Sequence, residues 1–127
     1  MSKETFLQVQ KVSYAAGTPA STLYKELTLN SAYERCIGVC IYPILKGGID
    51  VFRLGLADNN QDYINNIHYK ALESVPEAGL EIGQRFHKVS FPAGGHRIKI
   101  RTEIPTQLAT DLTYDFVFLL EREAKAS

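Results

Sequence analysis

Short runs in which apolar and polar side chains alternate one for one constrain this chain more than any other feature. The plainest run holds Ile98, Ile100 and Ile104 on one side, with Arg97, Lys99, Arg101 and Glu103 on the other. A period of two belongs to a strand with one buried face. Val89 and Phe91 give the preceding run the same character, and Pro92-Ala93-Gly94-Gly95 between the runs carries turn residues. The stretch Arg85–Pro105 is therefore expected to form a hairpin.

The same reading extends along the chain. Leu7 and Val9 sit on one parity and Val12 and Tyr14 on the other, which predicts a bulge near Gln10-Lys11. Leu23, Leu27 and Leu29 alternate with polar neighbours, with Lys25 the exception on that face. Residues 36–42 are apolar or small on both faces, the pattern of a strand covered from two sides, and Pro43 is expected at an edge or at the end of regular pairing. Phe52, Leu54 and Leu56 continue the alternation after the Lys46-Gly47-Gly48 turn. Residues 63–72 fit either a strand or a helix, and Ile67-His68-Tyr69 favours the strand. In the final run Tyr114, Phe116, Phe118 and Leu120 share one face and Val117 and Leu119 the other, a second doubly covered strand. Residues 122–127 are charged or small and are expected to form a frayed tail.

About eight short strands with closely spaced turns predict an all-β fold: a two-sheet antiparallel β-sandwich, jelly-roll-like. An immunoglobulin-like topology is the nearest competitor, although the chain has no Trp and no cysteine pair at inter-sheet spacing. At 127 residues one domain, spanning residues 1–127, is expected. Cys36 and Cys40 are the only cysteines. On one regular strand they would share a face with Cα atoms about 13 Å apart, and a disulfide needs less than about 7 Å. Two buried thiols are expected.

Composition narrows function chiefly by exclusion. Fourteen basic and fourteen acidic side chains give zero net charge. No general attraction to nucleic acid or anionic lipid follows, so any such attraction must be local. Met1–Thr5 lacks the apolar core of a signal peptide and no run is long enough to span a membrane. Cytoplasmic synthesis without a signal peptide is the expectation, with a virion as a possible destination.

One local charge asymmetry stands out. Between Ile82 and Thr102 there is no acidic residue, but there are Arg85, Lys88, Arg97, Lys99 and Arg101, with His87 and His96 beside them. Arg97, Lys99 and Arg101 would share a strand face at a spacing of about 6.8 Å, close to that of successive phosphates. These five form the candidate patch for an anion, a nucleic acid or an acidic partner. The competing reading is a solvated face matched by a neighbouring strand, with Asp111, Asp115, Glu121 and Glu123 as candidates.

Other constellations fall short of a site. Asp58-x-Asn60-x-Asp62 begins like a calcium loop, but Tyr63 and Tyr69 stand where Gly and a bidentate Glu are needed. His68, His87 and His96 have no partner at metal-ligand spacing. No nucleophile elbow, phosphate loop or dinucleotide fingerprint occurs. No enzymatic activity, catalytic residue, metal or cofactor is expected. Seven tyrosines could line a carbohydrate-binding face by stacking, or serve simply as strand residues.

The whole-chain pattern resembles the small single jelly-roll proteins of virus and phage particles. The features that carry the resemblance are the doubly covered runs Cys36–Tyr42 and Tyr114–Leu120, the stretch Arg85–Pro105 and the short polar ends. It implies a non-enzymatic structural protein that self-associates as a homo-oligomer or with other structural proteins, the basic stretch facing nucleic acid or an acidic partner. The alternative is a ligand-binding β-sandwich module, for carbohydrate.

Overall fold

The computed structural model describes residues 3–49, 51–58, 61–73 and 86–123. These hold eight strands: β1 Lys3–Tyr14, β2 Ser21–Thr28, β3 Arg35–Lys46, β4 Arg53–Ala57, β5 Asp62–His68, β6 His87–Pro92, β7 Arg97–Ile104 and β8 Leu112–Glu123. A single 3-10 turn, Tyr69–Ala71, follows β5. The strands form two antiparallel sheets: sheet I in the order β1-β8-β3-β6 and sheet II in the order β2-β7-β4-β5. The expected two-sheet sandwich is thus present, in the strand order of a jelly roll. The chain changes sheet at nearly every connection. Among the described strands only β4 and β5 are neighbours both in sequence and in a sheet.

That topology corrects the expected hairpin. Both strands of Arg85–Pro105 exist, but β6 pairs with β3 in sheet I while β7 pairs with β2 and β4 in sheet II. The turn between them crosses the sandwich. It is held by the connection that precedes β3: Ala93 N–H donates to the Glu34 carbonyl at 2.8 Å and Gly94 N–H to that of Tyr33 at 2.8 Å. Period-two alternation identifies a strand and its buried face; it does not choose the strand's neighbour.

The core fills the space between the sheets. β8, in the middle of sheet I, contributes Tyr114, Phe116, Phe118 and Leu120; Leu54, Leu56, Ile98 and Ile100 face them from sheet II. Phe52 stacks on Tyr69 at 4.4 Å and on Tyr114 at 5.8 Å. The one buried hydroxyl pair at the centre is satisfied, Thr102 Oγ1 lying 2.7 Å from the Tyr114 hydroxyl. The Tyr14 hydroxyl makes no well-formed hydrogen bond. Burial holds its proton more tightly than usual, with Thr102 offsetting part of the effect.

Sheet I is covered on its outer side as well, as the two doubly apolar runs predict. Cys40, Phe86, Val117 and Leu119 form a second cluster, with Ile37 against it. Phe86 lies so close over Gly38 that a Cβ there would meet the Phe86 Cβ at 2.8 Å. The position accepts nothing larger than glycine without lifting that ring.

Three local expectations change. β1 pairs with β8 without a register shift from Lys3↔Glu123 to Tyr14↔Leu112, so there is no bulge at Gln10-Lys11. Leu7 and Val9 stay on the outer face, and Gln8 turns inward. Its amide is satisfied across the sandwich, donating to the Thr28 carbonyl at 3.0 Å and accepting from Asn30 N–H at 2.8 Å. The bulge occurs instead in β3, between Cys36 and Gly38. One extra residue there inverts the parity, so Cys36 faces the main core and Cys40 the outer cluster rather than the two sharing a face. Neither cysteine forms a disulfide, and both are buried. Finally, Arg122 and Glu123, expected in the tail, are the last residues of β8, paired with Glu4 and Lys3. Pro43 sits in β3 beyond the reach of β6, which pairs only with Arg35–Val39, so it occupies an edge-like position.

Candidate functional site

β7 runs through the middle of sheet II and turns Ile98, Ile100, Thr102 and Ile104 inward. Arg97, Lys99, Arg101 and Glu103 therefore face outward as a row. Lys99 is matched by Glu26 of β2 at 3.6 Å, and Arg101 Nη2 lies 3.8 Å from Asp62 of β5. Arg97 stands opposite Thr28 and Glu103 between Thr22 and Arg53. Lys88 does not join the row, because β6 belongs to sheet I; Arg85 lies outside the described residues. The matching carboxylates differ from those expected. β8 is in the other sheet, where Glu121 and Glu123 bind Lys3 at 3.2 and 3.3 Å and Asp115 stands opposite Lys11. Asp111 instead accepts the Ala16 N–H.

The Asp58–Asp62 segment turns its first carboxylate inward. Asp58 Oδ1 accepts the Gln61 N–H at 2.8 Å, and Asp58 Oδ2 takes the Tyr63 hydroxyl and, at 2.8 Å, His96 Nε2. Tyr63 stacks on Phe91 at 4.1 Å. Burial, and then the Asp58 carboxylate, raise the Tyr63 pKa above the ordinary phenol value. The cluster latches the β4–β5 connection to the β6–β7 crossing. Asp58 and His96 are 38 residues apart, so spacing gave no sign of their meeting. His68 accepts the Lys70 N–H through Nδ1. Among the described residues no three His, Cys, Asp or Glu side chains gather as metal ligands.

The tyrosines do not form one platform. Tyr69 and Tyr114 are buried, while Tyr24 and Tyr42 are exposed on opposite sheets. Tyr33 is covered by Phe6 at 5.2 Å and by the Arg122 guanidinium at 4.7 Å. Between the edges of β1 and β2 an open cleft of about 370 Å³ is lined by Lys11, Val12, Ser13, Tyr14, Tyr24 and Lys25.

The outer face of sheet I is built in rows that cross β1, β8 and β3. Leu7, Leu119 and Gly38 form one row; Val9, Val117 and Cys40 form the next. Lys11, Asp115 and Tyr42 follow, and then Ser13, Thr113 and Leu45, with Ser13 and Thr113 hydroxyls 2.9 Å apart. Leu119, Val117 and Cys40 are buried, but Leu7 is 41% exposed and Val9 56%. A second exposed apolar group, Tyr42, Ile44 and Leu45, lies at the far end of β3. Sequence reasoning missed this face because the parity switch between Val9 and Val12 was read as a bulge near Gln10-Lys11, which would have put Leu7 and Val9 on the same side as Val12 and Tyr14.

No protein-family model matches the chain, and no curated protein matches it. Among solved structures the chain is similar to the nucleoplasmin-like N-terminal domain of Drosophila FKBP39, at 16% sequence identity over 95% of each chain, with a TM-score of 0.44.

Proposed function

We infer that this chain is a structural protein that works by self-association, as a building block of a larger assembly of the virus- or phage-particle kind. The observation that carries the reading is the asymmetry of the outer faces. Sheet I exposes Leu7 and Val9 at β1, and Tyr42, Ile44 and Leu45 at β3, whereas sheet II presents a charged row with ion pairs of its own and a lone exposed aromatic, Tyr24, beside Arg101. Exposed apolar groups rimmed by polar residues mark surfaces that meet other proteins. Two such groups, apart on one face, suit a subunit with more than one neighbour. Zero net charge adds little repulsion between copies. The basic row has less behind it as a nucleic-acid contact, since Lys99 and Arg101 already have carboxylates beside them. The carbohydrate reading has less behind it as well, since among the described residues the cleft between β1 and β2 brings together only Tyr14 and Tyr24 of the tyrosines.

The test is the mass in solution, by light scattering after size exclusion over a hundredfold concentration range. A defined oligomer or a shell is expected. A monomer at every concentration would overturn the reading.

A further inference from the structure

β1 is the edge strand that sheet I leaves open. It pairs with β8 along its whole length, and among the described residues no strand pairs with its other side. Edge strands are ordinarily blunted by shortness, charge, proline or a bulge. The other three edges here carry such devices. β2 has Lys25 and Glu26 in mid-strand. β5 meets β4 with two register shifts. β6 is 6 residues long and ends in Pro92. β1 has 12 residues, no proline and no register shift, and its middle, Thr5–Gln10, is uncharged. The charges at its start are turned onto β8, Lys3 to Glu121 and Glu123 and Glu4 to Arg122.

Resting on the self-association reading, we propose that β1 pairs antiparallel with β1 of a second copy about a two-fold axis at Gln8, joining two sheets I into one. A two-fold axis normal to the sheet keeps outer residues opposite outer residues, so only registers centred on a residue are allowed. Centring on Leu7 sets Lys3 against Lys11, two like charges. Centring on Val9 sets Leu7 against Lys11. Centring on Gln8 sets Leu7 against Val9, Phe6 against Gln10, Thr5 against Lys11, Glu4 against Val12 and Lys3 against Ser13, each twice, with no like charges opposed. The four apolar side chains then close over one another and continue the Leu119 and Val117 rows of each copy. About ten backbone hydrogen bonds would form along residues 3–13. The contact is closed and consumes the edge on both copies, so it makes a dimer, leaving the Tyr42–Leu45 group of each copy for other neighbours.

The test compares the full chain with Leu7→Lys/Val9→Lys by light scattering, and follows a register probe, Gln8→Cys, under oxidation. Both lysines replace exposed side chains, so the fold, checked by circular dichroism, is expected to remain. The expected result is a dimer-containing wild type, a double variant reduced to half the dimer's mass, and a disulfide-linked dimer through Cys at position 8, where the axis brings the Cα atoms to within about 5.5 Å. Leu7→Cys or Val9→Cys forming its own cross-link, with none at position 8, would overturn the register. A double variant that associates as the wild type does would overturn the β1 interface while leaving self-association standing. A monomeric wild type would remove both.

Discussion

The two sheets use the same alternation for different ends. In sheet II the inner positions of β7 are isoleucines and threonine and the outer ones are charged, so one face is core and the other meets water. In sheet I, β8 is apolar on both faces: Phe116 and Phe118 belong to the main core and Val117 and Leu119 to the outer cluster under Phe86. An antiparallel sheet needs only one covered face. The second layer on sheet I is therefore surplus to making a sandwich, and it continues outward into Leu7 and Val9. The difference teaches that burial on the outer face is a property of one sheet, centred on Phe86, and that it ends at an unpaired edge.

The comparison can be broken most severely at that ring. Phe86→Ala should destabilise the fold by about 3 kcal/mol in urea unfolding, as expected for a buried aromatic truncated to a cavity. It should also let a thiol reagent reach Cys40 well before Cys36, because only Cys40 lies under the ring. Equal labelling of the two thiols would mean that the outer cluster is not a separate layer.

Alkaline titration sharpens the inner half of the contrast. Burial pushes the Cys36 thiol up to about 12 from an ordinary 9.0. In the unfolded chain that thiol loses its proton first, so unfolding releases a proton throughout the window between the two values. Stability is then fully present below pH 9 and falls as pH rises, by up to about 1.4 kcal/mol per pH unit from this group. Burial likewise raises the Tyr114 and Tyr63 hydroxyls, which extends the loss to higher pH. Cys36→Ala should flatten the first part of the curve in urea unfolding followed across pH; an unchanged slope would show that the thiol is not the source.

The smallest effect belongs to the outer face of sheet II. Lys99 and Glu26 are both well exposed, and water screens such pairs, so a double-mutant cycle of Lys99→Gln and Glu26→Gln should return a coupling of about 0.2–1 kcal/mol. A coupling several times larger would mean that sheet II, too, depends on its outer face.

What could be read from the sequence follows the range of the interaction. The strand at Arg97–Ile104 and the double cover of β3 and β8 are written in neighbouring residues, because side-chain parity within a strand is local. The partner of β6 is not. Pro92 through Gly95 suit a hairpin and a crossing equally, and the choice rests on the Glu34 and Tyr33 carbonyls, which are distant in sequence. The β3 bulge depends on how β8 lies beside Cys36 and Gly38, which no spacing within β3 records. The Asp58–His96 contact is of the same kind. Gln8 and Gln10 occupy inward positions that a purely apolar pattern would have refused. Gln8 is tolerated because it meets Thr28 and Asn30 at the rim of the sandwich.

The pairing of β1 with β8 has a consequence in time. Lys3 lies opposite Glu123, so the first described strand is completed by one synthesised more than a hundred residues later. Pairings of such separation place a chain among the slow folders, in the range of milliseconds to seconds. Until β8 emerges and docks, β1 has two open edges instead of one. A nascent chain of this protein therefore carries an unpaired strand with two open edges throughout translation, the kind of exposure that favours wrong partners.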